Sequence, residues 1–189
     1  MNAHSGNHVT NFTVPGLAAS QADAIIGILE ERMVATIDLQ LTLKHVHWNV
    51  VGPNFISVHE MLDPQVDAVR EMTDTVAERI ASLGGVPLGT PGAVIERRSW
   101  QDYSLGKATV NEHLGALDIV YAGINSDHRA AIARLADLDP VSEDMLIGHL
   151  AQLEQFQWFV RAHLESAGGE LPTADVHSER AAARAASKA

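Results

Sequence analysis

Three short runs in the 189-residue chain hold side chains that can bind a transition metal. They are His45-Val46-His47-Trp48-Asn49, His59-Glu60-Met61-Leu62-Asp63 and Asp74-Thr75-Val76-Ala77-Glu78-Arg79. His59 and Asp63 stand at i and i+4, as do Asp74 and Glu78. On a helix each pair shares one face and can reach a single ion. Imidazole with carboxylate suits iron, manganese or zinc, and the lack of thiolate leans towards iron or manganese.

On a helical wheel of about 100° per residue with His59 at zero, Asp63 falls near 40°, Asp74 near 60° and Glu78 near 100°. The apolar row of the same segment runs from about 220° to 340°, so the four polar groups face away from the bundle interior. Asp63 and Asp74 are 11 residues apart, about 16 Å along a helix at 1.5 Å per residue. One ion cannot bridge that distance within a straight helix. An antiparallel two-fold pairing of two copies brings the His59/Asp63 end of one against the Asp74/Glu78 end of the other, giving two equal sites. A tight hairpin at Gly52-Pro53 adds His47 to the first end. Simpler readings stay open for each residue alone: Asp74 and Glu78 solvated, His59 paired with Asp63 at a helix start, His47 a satisfied buried histidine. It is the joint placement that favours a metal. His45 faces elsewhere and reads as structural.

The elements that must position these groups are long helices. Breaks fall at Gly52-Pro53, from Gly84 through Pro91-Gly92, at Pro140 and at Gly168-Gly169. Between them, four segments repeat apolar residues at helical spacing: about Ser20 to Val51, about Phe55 to Leu83, about Leu105 to Ala136, and from an N-cap near Ser142 to Gly168. The second has Leu62, Val66, Val69, Met72, Val76, Ile80 and Leu83 in a clear 3.6-residue period. Strand signals are poor. The expected fold is all-α, a four-helix bundle over residues 19–168, with a short extra helix after Thr90-Pro91 in the long middle connection. Residues 1–18 and 169–189 read as flexible tails.

Composition narrows the function. The chain has no cysteine, which excludes disulfides, thiolate metal sites and cysteine nucleophiles. Its net charge of −11 repels nucleic acid at long range and attracts metal cations, and its 10 histidines supply nitrogen ligands. No apolar run is long enough to span a membrane. The first residues lack a basic start followed by an apolar stretch, so no secretory signal is expected.

The run His47-Trp48-Asn49-Val50-Val51-Gly52-Pro53-Asn54-Phe55, followed by His59-Glu60-Met61-Leu62-Asp63 and Asp74-x-x-x-Glu78-Arg79, closely resembles the Dps family, the DNA-binding proteins from starved cells. Phe156-Gln157-Trp158-Phe159-Val160 resembles the family's last helix. The likeness covers about Leu17 to Gly169. It implies a ferritin-like subunit of a twelve-subunit shell with tetrahedral symmetry, cytoplasmic and nucleoid-associated. Such a shell oxidises Fe(II), preferably with hydrogen peroxide, at sites between two-fold-related subunits. It stores the Fe(III) mineral and so protects DNA from oxidative damage. Carried over by position, His47, His59 and Asp63 come from one subunit and Asp74 and Glu78 from the other. Trp48 is either an electron donor beside the site or plain packing. Asp127 is similar to the family's acidic iron-entry pore positions, with Asp137 and Asp139 as further members.

The family's DNA binding has thin support in this sequence. The first 14 residues contain no lysine or arginine. The carboxyl-terminal tail carries Arg180, Arg184 and Lys188 against Glu179 from residue 177 onward, a weak, salt-dependent and non-specific handle on DNA. An alternative function is a DNA-compacting nucleoid shell with little ferroxidase activity. An ordinary ferritin or di-iron oxygenase site inside the bundle is disfavoured, because no glutamate here has a histidine three residues later.

Overall fold

The chain leaves its first helix at Val50. Two β-branched residues, then Gly52 at φ +98° and Pro53, do not continue an α-helix there. In the computed structural model, which describes residues 12–188, α1 therefore spans Ala19–Asn49 and α2 spans Phe55–Ser82. A two-residue strand, β1 (Val50–Val51), lies between them. The short helix α3 (Pro91–Arg97) starts after Thr90 with Pro91 in its first turn, as the sequence suggests. Next come β2 (Ala108–Thr109), α4 (Val110–Leu135), α5 (Pro140–Leu164) and α6 (Glu179–Ala186). β1 and β2 pair in parallel, Val50 with Ala108 and Val51 with Thr109, clipping the end of the α1–α2 hairpin to the start of α4.

α1 packs mainly on α2, and α4 mainly on α5. The core has two parts. One gathers Leu39, Leu43, Leu62, Val66, Val69, Leu117, Tyr121, Leu153 and Phe156. The other gathers Ile25, Leu29, Met33, Val76, Ile80, Leu135 and Leu146. On α4 the changeover falls between Ile124 and Ala131, and buried Asn125 and His128 sit in that gap. Buried polar groups there are partly paired, Tyr121 Oη donating to Gln65 Oε1 at 2.6 Å and Asn125 Nδ2 to Gln157 Oε1 at 2.9 Å.

Three boundaries differ from the sequence expectation. α4 starts at Val110 rather than Leu105, because Thr109 and Glu112 form a reciprocal capping box: the Glu112 carboxylate accepts from the Thr109 backbone N–H at 2.8 Å. α5 starts at Pro140, because Asp139 rather than Ser142 is the cap; its carboxylate accepts from the backbone N–H of Val141 and Ser142. The Arg79 guanidinium donates to the same carboxylate at 2.6 Å. Asp139 is thus a buried helix cap, 3% exposed, and not a pore-lining acid.

The third difference is the carboxyl-terminal segment, which is docked rather than a flexible tail. Thr173 Oγ1 donates to the buried Asp118 carboxylate at 2.6 Å, and the Ser104 backbone N–H donates to Glu179 at 2.6 Å. α6 then lays Ala182, Ala183 and Ala186 against α4 at Gly115. A Cβ on Gly115 would stand 2.6 Å from the Ala182 carbonyl oxygen. Alanine in mid-helix normally stabilises by about 1 kcal/mol over glycine, but here a rigid backbone oxygen is in the way. G115V should therefore release α6, read as loss of amide-exchange protection over residues 179–186, while α1 and α2 keep theirs. At the other end, residues 1–11 of the expected amino-terminal tail lie outside the described residues, and Val14 and Leu17 pack against the second core cluster.

Candidate metal centre

The hairpin joining α1 to α2 sets His47 and His59 face to face. Their rings stack with centroids 3.6 Å apart and planes 24° apart. Each ring binds the other residue's backbone: His47 Nδ1 meets the His59 carbonyl at 2.9 Å, and His59 Nδ1 meets the His47 carbonyl at 2.9 Å. A ring nitrogen facing a carbonyl carries the proton, so in the neutral form each Nε2 keeps its lone pair for a metal. This is the orienting hydrogen bond that metal-binding histidines commonly use. At 9% exposure His47 is buried, and its hydrogen bond is made through Nδ1.

Asp63 joins the pair from one turn along α2. Its Oδ1 lies 3.3 Å from His47 Nδ1 and accepts from Lys44 Nζ at 3.0 Å. The Lys44 hydrogen bond, aided by the nearby imidazoles, holds the Asp63 carboxyl below the usual carboxylate range. Lys44 escaped the reading of the sequence. Its signal is the i to i+3 spacing from His47, which places both on one face of α1.

Asp74 and Glu78 lie on the exposed side of α2, as the wheel requires. They do not meet His47, His59 and Asp63 within the chain. Among the described residues no group of three or more His, Asp or Glu side chains closes around one point as a finished metal site. Each chain therefore presents two separate parts on one face, a His47/His59/Asp63 part and an Asp74/Glu78 part. Trp48 turns its indole outward, 70% exposed, with Lys44 Nζ 5.9 Å from the ring centroid, so it is no core packing residue of its own chain. Phe55 and Ile56 are likewise exposed at this end of the hairpin, and Leu41 is exposed further back along α1.

The remaining expected site residues are scattered. Asp127 on α4 is open to solvent and lies 3.8 Å from the buried Arg32 guanidinium. It borders a cavity of about 550 Å³ between α1, α4 and the segment leading into α6, whose lining includes His177 but neither His47 nor His59. Asp137 is exposed beyond the end of α4. Arg180, Arg184 and Lys188 are exposed at successive four-residue steps along and just past α6, the two arginines near Lys107. His45 is structural, its Nε2 meeting the Leu105 carbonyl at 2.8 Å and its ring lying edge-on to Tyr103.

A family model described as a ferritin-like domain matches residues 26–167. The chain is 57% identical over 175 residues to the "DNA protection during starvation protein" of Mycolicibacterium smegmatis, covering 93% of this chain and 96% of that one. A solved structure of Mycobacterium smegmatis Dps superposes with a TM-score of 0.85 at 60% identity, over 86% of this chain and 98% of the other. DpsA14 from Streptomyces coelicolor gives 0.85 at 61% identity, over 86% and 97%. No helix among the described residues is long and apolar enough to cross a membrane. A four-helix bundle that carries its histidines on an outward-facing hairpin, and agrees with these proteins along nearly its whole length, belongs to the Dps family of ferritin-like proteins.

Proposed function

We propose that the chain is a ferroxidase subunit of an iron-storing shell, and that the metal site forms where two copies meet antiparallel along α2. The observation that carries this is the reciprocal His47–His59 clasp, which fixes both imidazole rings through Nδ1 next to Asp63, while Asp74 and Glu78 stand exposed further along α2. The partner copy supplies the missing acids, and two nitrogens with three carboxylates fit Fe(II). Covering the seam also buries Leu41, Trp48, Phe55 and Ile56, whose exposure on a lone subunit is costly.

Fe(II) is the substrate. Two Fe(II) ions give one electron each to hydrogen peroxide, its O–O bond breaks, and two protons complete two water molecules. Paired delivery of both electrons avoids a free hydroxyl radical. The chain's part is to hold the ions together: His47 and His59 through Nε2, Asp63 from the same subunit, Asp74 and Glu78 from the partner. Exposed Trp48 beside the clasp is placed to supply an electron when only one Fe(II) is present. Asp127, with Asp137 nearby on the chain, serves as an acidic entry position, and closed symmetry with twelve subunits gives a cytoplasmic particle of about 240 kDa. D74A/E78A should keep that size on a column and lose Fe(II) oxidation by peroxide by about a hundredfold or more, since even outer supports of metal ligands account for 10- to 100-fold. Undiminished oxidation would rule the shared site out.

A second activity, weak binding of DNA, is favoured by the docked α6. It presents Arg180 and Arg184 beside Lys107, with exposed Lys188 just past its end, and repetition over a shell multiplies weak contacts. Binding of this kind falls steeply with salt. Should the wild-type particle oxidise Fe(II) no faster than peroxide does without protein, yet compact DNA, the chain would instead be a nucleoid-compacting shell.

A further inference from the structure

Lys44 stands one turn before His47 on α1, and it has two partners rather than one. Its ammonium is within 3.0 Å of Asp63 Oδ1, the oxygen that also faces His47 Nδ1. From the same stem it lies 5.9 Å from the centre of the Trp48 ring, one turn further along α1. At 29% side-chain exposure it is neither a free surface lysine nor locked in the core. Asp63 is therefore engaged by a protein cation at the position where a divalent ion would draw on it.

Resting on the reading of the site just given, we propose that Lys44 is a resident counter-cation: an incoming divalent metal must displace it from Asp63, and it thereby sets the metal concentration at which the site fills. Three carboxylates converge at the seam once two copies meet, Asp63 from one side with Asp74 and Glu78 from the other. Their mutual repulsion opposes closure until a positive charge enters. Lys44 supplies one such charge from within the chain. A divalent ion supplies two at the same place, and the lysine and the ion repel each other when both stay. The flexible four-carbon stem lets the ammonium leave without moving α1, and the face of the Trp48 indole, an attractive surface for a cation, is in reach. Exchange of one cation for another gives a threshold: trace metal leaves Lys44 in place, and excess Fe(II) drives it out.

Cobalt(II) is a redox-quiet probe for this, because its visible absorption reports nitrogen and oxygen coordination without turnover. Assembled protein would be titrated with Co(II) as wild type, K44M, K44R and D74A/E78A, with K44Q as the second neutral variant should K44M not assemble. The neutral variant should fill at a Co(II) concentration about tenfold lower than wild type, as one unit charge is removed beside a divalent ion. K44R, which keeps the charge, should restore the wild-type midpoint. A neutral variant that binds no tighter than wild type overturns the proposal, and so does K44R binding as tightly as K44M. D74A/E78A separates the two levels: loss of the absorption bands there upholds the shared site and leaves Lys44 to be judged by its own variants. Persistence of the bands removes the site and the proposal together.

Discussion

Shells assembled from equal parts of an H47A/H59A chain and a D74A/E78A chain should oxidise Fe(II), although neither variant does so alone. A seam between unlike chains holds one complete site, with histidines from one subunit and acids from the other, and one site lacking both. Random pairing makes half the seams unlike, so about a quarter of the wild-type sites return. A site enclosed by one chain has no such complementation, because each variant would carry its own defect. The measurement is the initial rate of Fe(II) oxidation by peroxide after unfolding the two variants together and refolding them, against each refolded alone. Recovery near a quarter identifies the ligands as coming from both sides of the seam. A rate at the level of the single variants would show that the two parts do not act on one ion.

Acid should destabilise the fold well before its carboxylates are protonated. His128 is fully buried, and burial, with the Arg32 guanidinium nearby, pushes its pKa down from 6.5 to about 4. His149 is pushed to about 4 by burial alone, and His113 is lowered by the same cause. In the unfolded chain each takes up a proton near pH 6.5, so between that value and pH 4 the unfolded state binds more protons. Stability is fully present above pH 6.5, falls as pH drops through the interval and levels off below the folded value. For His128 the shift corresponds to about 3 kcal/mol at about 1.4 kcal/mol per pH unit; partly exposed His149 adds less in the same direction. Asp63, Glu112 and Asp139 have lowered pKa values, so their contributions are lost only further down, below the usual carboxylate range. Urea midpoints at pH 7, 6 and 5 should decline steadily, with H128Q giving a shallower decline. A flat profile over that range would contradict neutral buried histidines.

How much of this could be read from residues alone depended on the range of the interaction involved. The period running from Leu62 to Leu83 is local, so α2 and the polar side carrying His59, Asp63, Asp74 and Glu78 were plain from spacing. The Gly52 turn is also local, and with it the approach of His47 to His59. Capping at Thr109 was legible too, since Thr109-x-x-Glu112 is a known helix-start pattern, but the apolar rhythm upstream obscured it. The burial of Asp139 is hidden for another reason: an acid before a proline looks solvated until Arg79, 60 residues earlier, is placed against it. The α6 strap was the hardest to foresee. Alanines carry little burial signal, and their seat is a single glycine, Gly115, whose missing Cβ matters only once the two helices touch. Lys44 carries no sequence signal of its own, because lysines are ordinarily solvated.

The crossed ring-to-carbonyl bonds between His47 and His59 join positions only 12 residues apart. Contacts of such short loop length close early and need no distant part of the molecule. On the proposed shared site, each newly made subunit finishes its own nitrogen donors while still alone, and quaternary construction has merely to dock prefabricated halves. The ordering cost of the imidazoles falls on hairpin formation, leaving the encounter between neighbours to settle only charge and fit.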